Sequence, residues 1–138
     1  MRNDNPPLFY QWVWLSIGVG LVLAVVYLTL TSEPIKMGMD IPFFDKIEHT
    51  FAYSVQMFWF SMIFFKQRCR LIISGGLILM GVCLEILQGM GQYRYFEYAD
   101  MAANTTGVVI GYVLGLTSLR FGLLWLENRI AVNRNRQP

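Results

Sequence analysis

Asp45, His49 and Tyr53 are spaced four apart, with Gln56 three further on, so on a helix they form one stripe of carboxylate, imidazole, phenol and amide. A carboxylate one turn from an imidazole can orient it, an arrangement suited to general acid and base work near neutral pH. Glu85 and Gln88 share a face of a second segment, and Asp100 and Asn104 share a face of a third. This spacing assigns a catalytic set of His49, Asp45, Glu85 and Asp100, flanked by substrate-binding Lys46, Gln88, Arg94, Asn104 and Tyr53. Lys46 and Arg94 are the anion-holding groups of that set. Arg94, between Tyr93 and Tyr95 and close to Phe96 and Tyr98, also fits an interfacial aromatic belt with a snorkelling arginine. One imidazole with two or three carboxylates suits a divalent metal, but no HExxH or repeated ligand spacing supports one, so neither metal nor cofactor is expected.

The segments that carry these residues are apolar. Of 138 residues, 55% are hydrophobic and 14% charged, where soluble domains carry about 25% charged residues. Such a chain cannot cover a water-facing surface in the usual way, and its net charge of +2 is too weak for a nucleic-acid binder. The expected class is an all-α polytopic membrane protein, a bundle of four transmembrane helices in one domain over 1–138, with spans at about 11–31, 47–65, 71–88 and 100–124 and a polar tail over 127–138. The first span is read as an uncleaved helix because no small-x-small site follows it. The tail, rich in Arg and Asn, is expected to fray into water or lie on headgroups. Cys69 and Cys83 are too far apart along one helix to pair.

Four spans put both termini on one side. Arg2, Lys66, Arg68, Arg70, Arg129, Arg134 and Arg136 share that side, against Lys36, Lys46 and Arg94 on the other, so the positive-inside rule places the termini in the cytoplasm. The start of the second span, the end of the third and the start of the fourth then lie together outside, where the polar residues would share one cavity. Gly107, Gly111 and Gly115, four apart below Asp100 and Asn104, are the packing face that would draw the helices together. Glu85 interrupts an apolar span, where a carboxylate costs on the order of 3 kcal/mol without a partner, a proton or water.

In chain order, Asp45-Lys46-x-x-His49, Glu85-x-x-Gln88, Arg94, Phe96-Glu97-x-x-Asp100-x-x-x-Asn104 and Gly107-x-x-x-Gly111 resemble the motifs of the VanZ-like family. The length and the four-span plan fit as well. The resemblance implies a small integral protein of the bacterial cell envelope, in the cytoplasmic membrane, from a family whose namesake is linked to low-level teicoplanin resistance. It also implies that Asp45, Lys46, His49, Glu85, Gln88, Arg94, Asp100 and Asn104 are family motif positions. Two functions follow as expectations. One is an outward-facing site that binds or modifies an amphiphilic envelope molecule, with a membrane lipid or lipid-linked molecule as partner, no nucleic acid, and homo-oligomers allowed. The other is a non-catalytic scaffold whose polar cluster fixes helix packing.

Overall fold

A computed structural model describes residues 8–31, 44–90 and 97–134. All described elements are helical: α1 Gln11–Leu30, α2 Phe44–Ile63, α3 Gln67–Met90, α4 Tyr98–Leu114, a short 3-10 turn Ser118–Phe121, and α5 Gly122–Arg134. By length and composition α1 and α3 can each cross a membrane, and α4 joined to the segment after it qualifies as a third span only as a pair bent by 74°. Two to three candidate spans therefore stand where four were expected.

Large apolar side chains cover the outer surface of the bundle, including Trp12 at 80% exposure, Leu23 and Tyr27 on α1 and Ile72 and Leu79 on α3. A water-soluble protein rarely exposes so continuous an apolar surface, whereas lipid is a matching solvent for it.

α2 is the centre of the bundle. It runs parallel to α4 and touches it along the glycine stripe, where a Cβ on Gly107 would meet the Thr50 carbonyl, one on Gly111 the Ser54 carbonyl, and one on Gly115 the Ser61 hydroxyl. The Thr50 hydroxyl donates to Ala103 O (3.2 Å) and the Ser54 hydroxyl to Gly107 O (3.0 Å), stitching the two backbones at the height of the stripe. The glycines are a packing face, as their spacing suggested. Tyr53, Met57, Leu77 and Val108 form the core where α2, α3 and α4 meet, and Leu8, Phe60, Ile63 and Leu123 form a second cluster at the base. α1 leans on α2 through Gly18, against Trp59 and Phe60, and through the Trp59 indole N–H donating to Trp14 O (3.0 Å).

Two expectations are corrected. The fourth span ends at Leu114, ten residues short of 124. Thr117 adopts an extended backbone and its hydroxyl accepts from Leu119 N (3.3 Å), starting a new turn, while Arg70 Nη1 donates to Gly115 O (2.6 Å) and closes the end of α4. Of the tail expected either to fray into water or to lie on headgroups, residues 127–134 are helical and not frayed. Its anchor is Glu127, 7% exposed, whose carboxylate accepts from Phe9 N (2.7 Å), Tyr10 N (2.8 Å) and Trp14 Nε1 (2.7 Å). The first turn of α1 lacks a side-chain cap of its own, and a carboxylate at a helix N-terminus satisfies free amides and complements the dipole.

Candidate functional site at the acidic rim

The end of α3 and the starts of α2 and α4 form one rim, and there the polar residues collect. Lys46, in the first turn of α2 ahead of the uncharged stretch, points its ammonium at three carboxylates: Asp45 Oδ2 at 2.5 Å, Glu97 Oε2 at 2.5 Å and Asp100 Oδ1 at 2.9 Å. The Asp100 contact is an ion pair, and that buried oxygen receives no hydrogen bond. Asp100 sits in the first turn of α4, where the helix dipole favours negative charge.

Burial pushes the Asp45 carboxyl up, but hydrogen bonds from the Lys46 side chain and backbone outweigh it and hold the group below the usual carboxylate range, with nearby His49 adding a smaller pull. For Lys46 burial disfavours the charge, but its hydrogen bonds to Asp45 and Glu97 and the attraction of Asp100 prevail, so its pKa is raised. Oxygens of Asp45, Glu97 and Asp100 lie within 4.8 Å of one another, a set able to hold a cation, and the cation among them is Lys46. Among the described residues, three acids against one ammonium leave this cluster with net negative charge.

Glu85 joins this group from α3. It is 2% exposed, and its Oε1 accepts from the backbone N–H of Glu97 at 3.1 Å. Glu97 thus bridges the site, with its amide on Glu85 and its carboxylate on Lys46. Sequence reasoning left Glu97 out of the site. The available signal was its place three residues ahead of Asp100, at the mouth of α4.

One turn deeper, Gly81 admits Asn104 and Tyr53: a Cβ there would lie 3.2 Å from Asn104 Cβ, Asn104 Nδ2 and the Tyr53 hydroxyl. Asn104 Oδ1 is buried and accepts no hydrogen bond, as is Gln56 Oε1. The sequence offered no reason to single out Gly81. His49 is half-buried beside Asp45, and Gln88 reaches away from the rim, donating to Thr29 O at the end of α1 (2.7 Å). Arg94 lies outside the described residues. The structure therefore brings Asp45, Lys46, Glu85 and Asp100 together through Glu97, and Tyr53 with Asn104 beneath them.

A profile of the VanZ/LLP1 family matches residues 9–120. The chain belongs to that family. Neither the curated proteins nor the solved structures contain a match to it. The VanZ/LLP1 stretch takes in the whole rim, the glycine stripe and Arg70, whereas Glu127 and the rest of α5 follow it.

Proposed function

We propose that this VanZ/LLP1 membrane protein uses the rim to bind or modify the head of an amphiphilic envelope molecule, a membrane lipid or a lipid-linked glycan or lipoglycopeptide. The observation that carries the reading is Glu85, a carboxylate buried in a helix apolar enough to cross a membrane and joined to a net-negative cluster at its end. Keeping such a group ionised at that depth is costly, and intramembrane acids mark functional sites by default. In this reading α2 and α4 also cross, which makes four spans with both termini in the cytoplasm and the rim outside the cytoplasmic membrane. His49 serves as acid or base with Asp45 beside it, Glu85 and Asp100 supply the field, and Tyr53 and Asn104 line the floor. The open Asn104 carbonyl oxygen would accept a donor from the bound head, recovering about 1 to 3 kcal/mol otherwise lost to its burial. Lys46 gathers the three acids, so an anionic head must displace one of them to reach it. The family resemblance extends the proposal to teicoplanin.

The test is surface binding of fluorescent teicoplanin to a sensitive host that expresses the chain. Expression should lower binding, and His49→Gln and Glu85→Gln should each restore it while abundance and melting in detergent stay as in the unaltered chain. A neutral amide removes charge and proton transfer yet still hydrogen-bonds. Parallel loss of abundance and effect would show the cluster to be a scaffold, because cutting a buried ionic network costs about 3 to 5 kcal/mol. No effect of the unaltered chain would sever the teicoplanin link.

A further inference from the structure

The end of the bundle opposite the rim carries the reverse charge. Among the described residues, Lys66, Arg68, Arg70, Arg120, Arg129 and Arg134 all belong to it by their place in the chain, and its one acid, Glu127, is buried on the start of α1. Arg70, 3% exposed, donates from Nη1 to the carbonyl of Gly115 and sits 5.5 Å from the Tyr112 ring, with its buried Nε unpaired and no carboxylate against it among the described residues. Lys66, Arg68 and Arg129 are exposed. α5 lies across this end. Leu123 and Glu127 turn inward, and the opposite face presents Trp125 at 60% exposure, Val132 and Arg129, whose guanidinium sits 5.1 Å over the Trp125 ring. The basic turn before α3 joins the same surface, since Phe65 stacks on Phe121 with ring centroids 5.8 Å apart.

We infer that α5 and the Lys66–Arg70 turn form a foot that rests on anionic phospholipid headgroups of the bilayer holding the spans. Three observations converge on lipid as occupant. The segment from Ser118 to Asn133 is bent by 74° from α4, so when α4 crosses the bilayer α5 lies near its plane. A face turned away from the protein yet bearing tryptophan, valine and arginine has the composition of the headgroup level. Among the described residues, the exposed charge at that end is wholly positive, complementary to anionic headgroups. The inference rests on the chain's being a membrane protein and is independent of the chemistry at the rim.

The full chain, reconstituted in phosphatidylcholine vesicles containing brominated phosphatidylglycerol or brominated phosphatidylcholine, reads this contact by tryptophan quenching. The difference between the chain and its Trp125→Phe variant isolates Trp125, and the quenching left in the variant, from Trp12 among others, reports that the spans are inserted. Brominated phosphatidylglycerol should be preferred around Trp125 by about fivefold or more, the worth of one basic residue near an anionic surface. The preference should vanish at about 1 M salt and in a Lys66→Gln, Arg68→Gln, Arg129→Gln variant, whose altered side chains are all exposed. The salt series uses the unaltered chain and stands even if that variant folds poorly. Equal quenching by the two lipids, or quenching of Trp125 by aqueous iodide alone while the other tryptophans respond to lipid, would overturn the foot.

Discussion

Removing the ammonium of Lys46 leaves Asp45, Glu97 and Asp100 facing one another across less than 5 Å. Lys46→Met should cost on the order of 2 kcal/mol near neutral pH, between the values for exposed and buried pairs, as measured by melting in detergent. The pH dependence follows from the two shifts. Asp45, lowered in the fold, contributes stability above the ordinary carboxylate value of about 4 that is lost as pH falls through and below it. Lys46, raised, contributes stability below the ordinary lysine value of about 10.4 that is lost only as pH rises beyond it. Melting of the unaltered chain should therefore be insensitive to this group between about pH 5 and 10 and drop in acid. The Lys46→Met variant should instead gain stability on acidification, as its crowded carboxylates take up protons. Charges inside apolar segments are rare enough that the rim residues were legible in the sequence. Their pairing was not: Lys46 read as a hand for anions because its partner Glu97 lies 51 residues away, and the spacing along one helix says nothing of such a neighbour.

Helix existence was legible at the level of elements, because uncharged runs of about 20 residues have few alternatives in lipid. Helix ends were harder. The run from Met101 to Leu119 is uncharged, so hydropathy carries through the break after Leu114, which arises from a threonine hydroxyl and an arginine on another helix. The glycine periodicity, in contrast, named the tightest contact of the bundle. Gly111→Leu should separate α2 from α4 and cost roughly 2 to 5 kcal/mol or abolish folding, whereas Gly75→Ala, with nothing within 4 Å of its new methyl, should be neutral or stabilise by up to about 1 kcal/mol. Glu127→Ala strips three donors at the start of α1 of their acceptor. It should lower stability by about 2 to 3 kcal/mol and expose the Tyr10 region to protease.

Among the described residues, acids gather where α2 and α4 begin and bases where they end, Lys46 and Glu127 being the exceptions. That polarity predicts which end meets which compartment. In a background without Cys69 and Cys83, a membrane-impermeant thiol reagent added outside intact cells should label Glu48→Cys and spare Gln67→Cys, both exposed positions. The opposite pattern would invert the topology and put the rim inside. The clasp between Glu127 and Trp14 has a further meaning in time, since its two halves are 113 residues apart. At about 5 to 20 residues per second, a ribosome that has made Trp14 needs roughly 6 to 23 s to reach Glu127. Through that interval α2 is made and can pack on α1, while the first amides of α1 are answered only by solvent or headgroups. The order of biosynthesis thus leaves the start of α1 waiting for its acceptor until most of the bundle it joins has been made.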